Sequence, residues 1–371
     1  MCAIIEKIQK EVPIMSTNEN KGKKAEVTAL QAISAEDRKD WISLAFVQAG
    51  ICVCVPAFLL GALLAEAMPI WPAIISGSLG YLIVVVGMVA TGMIGCDLGL
   101  ASCTCCQAGF GKSGARFIVS TIFAVNMIGW FGIQNGVCGE AFSNAMLAMT
   151  GWDIPVVVSN TIWGIIMLLT AVYGVHALEK LDKISIPLLM IIMCYGIFLA
   201  FKVYGTGNLN DEGTVQSMSF MSGVALSFNF TAVGTITGPD YTRFQKSRKD
   251  TVKSVFYGVF PMGVITLIMG IVLTKLSGQY DISMVLIEVG LPLLGIIALV
   301  ISTWTTNSTN AYSAGLNIVM ALKLKDNRRR EATLISGIVG IVLCDLGILG
   351  HVEGVLSLLS YVVCPVGGVI L

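Results

Sequence analysis

The chain has 371 residues, of which 55% are hydrophobic and 12% are charged, and its 23 basic and 23 acidic residues cancel to a formal net charge of zero. A soluble domain carries about 25% charged residues, so this chain has too little polar surface to cover a water-soluble globule. The zero net charge excludes bulk electrostatic attraction to nucleic acid, and we expect no nucleic-acid partner.

The N-terminal 40 residues are polar and lack the short apolar core and cleavage site of a signal peptide. We expect a disordered tail over residues 1–40. Beyond it, apolar stretches long enough to cross about 30 Å of hydrocarbon alternate with short polar segments. The ten predicted spans are Trp41–Met68, Ile70–Cys96, Phe117–Met149, Pro155–Tyr173, Ile184–Tyr204, Val215–Asp240, Ser254–Leu276, Ile282–Leu322, Ala332–Leu349 and Val352–Leu371.

The basic residues are distributed unevenly between the two sides that these spans define. Of the 23 Lys and Arg residues, 21 fall on the side of the N-terminus, and only Lys202 and Lys275 fall on the other. The positive-inside rule places the basic side in the cytoplasm. We therefore predict an all-α, multi-pass plasma-membrane protein, embedded in lipid, whose N-terminus is cytoplasmic. Because Leu371 ends the chain within an apolar run, we expect the tenth span to be truncated.

Two of the spans combine glycine with proline. The first contains Gly50 and Pro56, and the sixth contains Gly234 and the pair Gly238-Pro239. Proline removes a backbone hydrogen bond and strains the preceding turn. Interrupted helices at corresponding positions of two halves are typical of transporters that bind substrate near the middle of the membrane. The alternative is that glycine and proline are simply common in membrane helices.

The third span places an aromatic ring beside an amide. Trp130 and Gln134 are four residues apart and therefore share one helical face. A flat indole can stack on a heterocycle while the amide reads its hydrogen-bonding edge, as proteins do with unstacked bases. By residue type alone, the commoner explanation is a tryptophan packed between helices and an amide bonded to a neighbouring helix.

The eighth span contains a polar run, Ser302–Asn310, in which every residue except Trp304 carries a hydroxyl or an amide. Such a run is costly in hydrocarbon unless it lines an aqueous or ion-binding cavity. The hydroxyls of Thr305 and Thr306 can offer neutral oxygen atoms to a sodium ion. The alternative is that these side chains bond to the carbonyls of their own helix.

Two further groups could complete a site around this run. Carbonyl groups released by a break in the first span, near Gly50 and Val53, could add oxygen ligands for the ion. Asn307 follows the two threonines and could face a substrate. A proton could replace sodium as the coupling ion, and the candidate acids within the spans are Glu140, Glu288 and Asp345.

Five short motifs resemble the nucleobase:cation symporter-1 family, in its cytosine permease branch of purine and pyrimidine permeases. They occur in order between about Trp41 and Leu371. The motifs are Gly129–Gly132, Asp240–Phe244, Trp304–Asn307, Tyr312–Leu316 and Pro365–Ile370.

The resemblance implies a LeuT-like core of ten helices in two inverted five-helix repeats, here residues 41–210 and 211–371. It implies import of cytosine or a related planar heterocycle, coupled to sodium or in some members to protons, by alternating access. The implied substrate residues are Trp130, Gln134, Phe230 and Asn307. The implied sodium ligands are Gly50, Val53, Ser302, Thr305 and Thr306.

Two other classes of protein were weighed against this expectation. An amino-acid/cation symporter of the same architecture is the alternative within transport. A membrane enzyme finds no support, because His176 and His351 are far apart and neither H-x-x-x-H nor G-x-S-x-G occurs. We therefore expect no enzymatic activity and no cofactor beyond the coupling ion. The heterocycle, the coupling stoichiometry and the oligomeric state stay open.

Overall fold

The computed structural model describes residues 30–206, 209, 217–278, 282–348, 361–362 and 365–369. The regular structure within these ranges is helical. In chain order the helices are α1 (Trp41–Cys52), α2 (Val55–Ala67), α3 (Ile70–Leu98), α4 (Ser102–Cys105), α5 (Gln107–Gly114), α6 (Thr121–Thr150), α7 (Val156–Tyr173), α8 (Val175–Tyr204), α9 (Phe220–Thr231), α10 (Val233–Thr242), α11 (Arg248–Ser277), α12 (Ile282–Glu288), α13 (Pro292–Ala321) and α14 (Arg329–Asp345).

The described residues contain six helical segments that are long and apolar enough to cross a membrane, or seven if the bent pair α1–α2 is one span. The prediction of an all-α membrane protein is confirmed. The predicted tenth span lies largely outside the described residues, so the count of ten stays a prediction. Helix α13 has 30 residues and is long enough to cross at about 1.5 Å per residue.

The predicted eighth span is wrong in one respect, because it is two helices rather than one. Helix α12 ends at Glu288 and α13 begins at Pro292. Gly290 between them has a φ of 86°, a left-handed conformation that glycine adopts without steric cost. Pro292 at the first helical position then starts α13, as proline commonly does.

The interruption of the sixth span also lies elsewhere than predicted. It falls at Ala232, whose backbone stays helical, and α9–α10 counts as one 23-residue span. Pro239 lies inside α10 and deprives the carbonyl of Thr235 of its helical partner. Thr91 Oγ1 of α3 donates a hydrogen bond to that carbonyl at 2.5 Å. A neighbouring hydroxyl thus replaces the missing bond, and the helix continues through the proline.

Helix α13 is the central element of one half of the bundle and packs against α1, α6, α7, α8, α12 and α14. Its residues from Ala298 to Met320 are buried almost without exception. Helix α11 is the corresponding central helix of the other half, where it packs against α1, α2 and α3. The polar run Ser302–Asn310 therefore lies inside the protein, where its hydroxyls and amides must bond to other helices or face a cavity.

Several loops predicted to share the basic side meet at one end of the bundle. Arg116 Nε donates to the carbonyl of Ala321 at 3.1 Å, and Arg248 forms an ion pair with Asp97 at 2.5 Å. Lys39 pairs with Glu179. These contacts join segments far apart in sequence, which supports the sorting of the loops into two sides.

The predicted disordered tail extends too far toward the first helix. Its C-terminal part is held in place, because Ile33 N donates to the carbonyl of Gly99 at 2.9 Å and Lys39 N donates to that of Phe244 at 2.6 Å. Arg38 Nη1 reaches the carbonyls of Cys96 and Gln245. Residues 30–40 therefore cap the basic end of the bundle, while residues 1–29 lie outside the described part of the chain.

Candidate substrate and cation site

A cavity opens between α1–α2, α3, α6, α9–α10 and α13. It has about 100 Å³ of space for the centres of water-sized molecules, several times the ~10–15 Å³ that a single water needs. It could therefore admit a small ring in place of several waters. The residues that line it include Gln48, Tyr81, Trp130, Gln134, Phe230, Thr231, Gly234, Thr306 and Asn310.

The cavity contains both predicted aromatic residues. Trp130 is half-buried and lines the cavity together with Thr306, so its ring faces the interior of the bundle. Phe230 meets Trp130 edge to face, with ring centroids 6.1 Å apart and an angle of 68° between the planes. This geometry leaves no parallel slot between the two rings. A ring stacked on Trp130 would use the free part of the indole face, with Phe230 at its side.

Two glutamine side chains in the cavity lining have unused acceptors. Gln134 is 1% exposed and Gln48 is 0% exposed, and Oε1 of each is buried without a hydrogen-bond partner among the described residues. Gln48 Nε2 donates to Ser254 Oγ at 3.3 Å. Buried polar atoms are normally satisfied, so the two acceptors fit a ligand that presents N–H groups.

The structure separates two asparagines of the polar run. Asn307 does not line the cavity, and its Nδ2 donates to the carbonyl of Phe131 at 3.1 Å. Asn310 lies in the cavity lining and its Nδ2 is 3.4 Å from Asn307 Oδ1. A substrate role for Asn307 stays a prediction. Of the two asparagines, Asn310 is the one whose side chain lines the cavity.

Four of the predicted sodium ligands converge where α1 meets α13. The carbonyl of Gly50 accepts hydrogen bonds from Thr306 Oγ1 at 2.9 Å and from Thr305 Oγ1 at 3.3 Å. Both hydroxyls are also 3.1 Å from the carbonyl of Ser302. These are neutral, hard oxygen atoms of the kind that alkali and alkaline-earth cations prefer.

The fifth predicted ligand, Val53, lies at the bend itself. Helices α1 and α2 meet at an angle of 54°. Val53 lies outside both helices, with φ −88° and ψ 74°. The donor set of carbonyls and hydroxyls therefore fits a sodium ion, and the role of each residue as ligand stays a prediction.

The acids proposed for proton coupling lie away from the cavity. Asp345 Oδ1 accepts from Asn160 Nδ2 at 2.9 Å, and Glu288 accepts from the hydroxyl of Tyr204 at 2.9 Å. Glu140 is exposed. None of these carboxylates lines the cavity.

The sequence interpretation missed several lining residues. Gln48, Tyr81 and Asn310 line the cavity, although none of them was predicted to be a site residue. Asn310 belonged to the polar run, whose period would have placed it about one turn beyond Thr306. Gln48 offered only the signal of an amide within an apolar span. Tyr81 offered none, because a tyrosine is common in membrane helices.

Comparison with known proteins decides the family. Residues 33–371 match the model of the family of permeases for cytosine/purines, uracil, thiamine and allantoin. The chain belongs to this permease family. The permease is therefore a transporter rather than an enzyme, and the suspected relationship is confirmed.

The permease chain aligns over most of its own length with curated relatives that are longer than it is. The cytosine permease of Escherichia coli strain K12 is 29% identical over 338 residues, which cover 90% of this chain and 77% of that protein. The purine-uracil permease NCS1 of Arabidopsis thaliana is 25% identical, over 89% of this chain and 60% of that protein. The allantoin permease of Bacillus subtilis strain 168 is 23% identical, over 91% and 76%.

Solved structures show which fold the permease has. Mhp1, a nucleobase-cation-symport-1 family transporter in a closed conformation with bromovinylhydantoin bound, superposes with a TM-score of 0.82 at 17% identity, covering 94% of this chain and 80% of that one. MhsT in complex with L-phenylalanine reaches a TM-score of 0.66 at 15% identity, covering 90% and 89%. The permease thus has the LeuT-like fold that the resemblance implied, and the fold alone does not select a substrate.

Proposed function

We propose that this permease imports a nucleobase or a closely related planar heterocycle, with cytosine as the first candidate, together with a sodium ion by alternating access. The observation that carries the proposal is the cavity itself, in which Trp130 lies beside the unpaired amide oxygen of Gln134. In this proposal the ring stacks on Trp130, with Phe230 at its side. Gln134 accepts from an N–H of the ring edge, and Asn307 acts on the substrate through Asn310.

The indole face of Trp130 favours a planar heterocycle as the substrate, because a flat ring can stack on it and stacking of a base on an aromatic ring contributes about 1–3 kcal/mol. A nucleobase also presents ring or exocyclic N–H groups to the unused Oε1 atoms of Gln48 and Gln134. The ammonium group of an amino acid could donate to the same acceptors, so it is the stacking surface that distinguishes the two substrate classes. The names of the curated relatives, which are cytosine, purine-uracil and allantoin permeases, agree with this choice.

Sodium is the proposed coupling ion, and a proton is the alternative. The proposed ligands are the carbonyls of Gly50, Val53 and Ser302 and the hydroxyls of Thr305 and Thr306. An ion at this position would join the bend of α1–α2 to α13 and so stabilise the conformation in which these elements meet. Each ligand can shift the conformational equilibrium only by its difference in affinity for the two states. Because Thr306 borders both the ion position and the cavity, the ion and the ring can favour the same state.

The proposed setting is the plasma membrane, with the N-terminus in the cytoplasm. Support comes from the basic residues, which the contacts of Arg116, Arg248 and Lys39 bring to one end of the bundle. The positive-inside rule assigns that end to the cytoplasm.

Uptake into proteoliposomes tests the proposal. We expect uptake of radiolabelled cytosine to be driven by an inward sodium gradient and to be reduced by unlabelled uracil, adenine or hydantoin, but not by L-phenylalanine. Choline chloride replaces sodium chloride in the control, and an inward proton gradient tests the alternative ion. Failure of every planar heterocycle to compete would contradict the proposal, and competition by L-phenylalanine would favour the amino-acid symporter.

The same assay distinguishes the two asparagines. Asn310→Ala is expected to raise the KM for the heterocycle. Asn307→Ala is expected to raise it as well and also to lower the thermal stability, because its amide holds the carbonyl of Phe131 in a buried position. An unchanged KM in both variants would remove the amides of α13 from the substrate site.

A further inference from the structure

Helix α8 carries a buried carboxylate that accepts no hydrogen bond from any other residue that the structure describes. The residue is Asp182, which is 0% exposed, and both of its carboxylate oxygens lack a hydrogen-bond partner among the described residues. Asp240 is equally buried, but its Oδ1 accepts from the backbone N–H of Ser102 at 2.8 Å. An isolated buried charge is strongly unfavourable unless another charge compensates it. Asp182 therefore either holds a proton or is neutralised by a cation that the described residues do not supply.

The adjacent lysine does not provide this cation. Lys183 extends its Nζ to Glu179 Oε1 at 2.7 Å and to Ser43 Oγ at 3.0 Å, at the partly exposed rim of the bundle. Adjacent residues of a helix point in different directions. Asp182 faces the interior while Lys183 and Glu179 form their own pair.

Asp182 lies against the residue at the centre of the proposed ion site. Its Oδ1 and Oδ2 are 2.8 Å and 3.3 Å from the position that a Cβ atom would take on Gly50. The carbonyl of Gly50 is the acceptor shared by Thr305 and Thr306. The carboxylate thus approaches the same backbone position as the neutral oxygen cluster, and it does so from a third helix.

We propose that Asp182 supplies the negative charge of the sodium site. This inference rests on the proposed function in one respect, since it takes the ion to bind near the Gly50 carbonyl. One carboxylate and one sodium ion make the site neutral, which removes the cost of the buried charge and adds attraction to that of the neutral oxygens. A doubly charged ion would need more carboxylates than the described residues place here. The site would therefore join three elements, α1, α8 and α13.

A charge in this role has two consequences that a merely structural residue does not have. Neutralising it should weaken sodium binding, and it should also remove the unfavourable buried charge from the ion-free protein. The ion-free variant should then be at least as stable as the wild type, while its stabilisation by sodium is reduced. Binding of an ion to the folded state stabilises it by RT ln(1 + c/Kd), where c is the free ion concentration, and so raises the melting temperature.

The test measures thermal unfolding of the purified protein in detergent as sodium chloride replaces choline chloride at constant ionic strength. The variants are Asp182→Asn and, as a second neutral replacement, Asp182→Ala. The matched control is Asp97→Asn, which removes an exposed carboxylate paired with Arg248. We expect the dissociation constant for sodium, obtained from the dependence of the melting temperature on the sodium concentration, to rise at least about 5-fold in the Asp182 variants and to stay unchanged in the control, because a unit charge near the ion outweighs a neutral oxygen.

The proposal is supported only if that rise occurs in at least one Asp182 variant that melts, in choline chloride, no lower than Asp97→Asn. Any other combination overturns it and assigns Asp182 a structural role. Its failure can be told apart from failure of the proposed function. A wild type that takes up cytosine but is not stabilised by sodium overturns the sodium site, including the role of Asp182, and leaves the proposed substrate standing. A wild type that is stabilised by sodium but takes up no heterocycle overturns only the substrate.

Discussion

The first and sixth spans both combine glycines with a proline, but only the first is bent. Helices α1 and α2 meet at 54° around Val53, whereas α9 and α10 form one 23-residue span. In the sixth span the carbonyl freed by Pro239 is bound by Thr91 Oγ1. In the first span the carbonyl of Gly50 is met by two hydroxyls of α13. The bend therefore places a backbone oxygen beside the hydroxyls of α13, where we propose the ion binds, whereas the sixth span contributes side chains to the cavity lining.

The largest difference between the two spans is expected when one glycine of each is replaced by alanine. In Gly50→Ala the new Cβ would lie 2.8 Å from Asp182 Oδ1, whereas in Gly234→Ala the nearest atoms would be 3.8 Å away. We expect Gly50→Ala to cost about 1–3 kcal/mol of stability through overpacking and to abolish sodium-driven uptake at low sodium. Gly234→Ala should keep the wild-type sodium dependence. Thermal unfolding and uptake in proteoliposomes measure both, and equal sensitivity of the two glycines would contradict the comparison.

Removing aromatic surface from the cavity should affect the substrate and not the ion. Trp130→Ala is expected to raise the KM for cytosine by about 10-fold or more, because stacking of a base on an aromatic ring contributes about 1–3 kcal/mol. Phe230→Ala should have a smaller effect, since Phe230 meets Trp130 only with an edge-to-face contact. The sodium concentration for half-maximal uptake should stay the same in both. A larger effect at Phe230 would show that the sixth span holds the ring.

Removing the hydroxyl that contacts the bend should raise the sodium requirement for uptake more than removing a hydroxyl of the sixth span. Thr306→Ala removes a donor to the Gly50 carbonyl, and we expect the sodium requirement for uptake to rise about 5-fold, or ~1 kcal/mol. Thr231 also borders the cavity, but its hydroxyl bonds to the carbonyl of Ser227 in its own helix. Thr231→Ala should leave the sodium requirement unchanged. Equal sodium requirements for uptake in the two variants would contradict a specific role of the Thr306 hydroxyl at the ion site.

The smallest effect on transport is expected from the hydroxyl that binds the carbonyl freed by Pro239 in the sixth span. Thr91→Val removes the hydroxyl that binds the Thr235 carbonyl, and the unsatisfied carbonyl should cost about 1–3 kcal/mol of stability. Uptake per folded molecule and its sodium dependence should not change, because this contact lies outside the ion site. Melting temperature and uptake by the same preparation measure the two quantities. Altered sodium dependence in Thr91→Val would show that the sixth span also responds to the ion.

The sequence predicted these features to different depths. Hydropathy placed most spans within a few residues, and the helical period correctly brought Trp130 and Gln134 to the same cavity. The expectation that proline interrupts a helix was right for Pro56, which lies in the first turn of α2 just after the bend, and wrong for Pro239. The sequence does not show whether a hydroxyl of another helix bonds to the carbonyl that a proline frees, because Thr91 and Thr235 are separated by 144 residues along the chain.

Asp182 shows the same limit from the other side. The charged stretch before Ile184 predicts a loop, and Asp182 is therefore absent from the candidate acids of the membrane spans. The structure begins α8 at Val175 and turns Asp182 inward beside Gly50, while Glu179 and Lys183 stay at the rim. Charge density along the chain does not reveal which side chain of a charged turn is buried.

The sequence by itself determined the membrane class, the helical spans, the polar run of the eighth span and the family, because each follows from local composition, periodicity or short motifs. Only the tertiary structure decided which proline bends its helix, that Asn310 rather than Asn307 borders the cavity, and that a buried carboxylate lies against Gly50. The physical reason is that bond satisfaction and charge compensation depend on atoms that approach across helices. Local patterns in the sequence do not encode that approach.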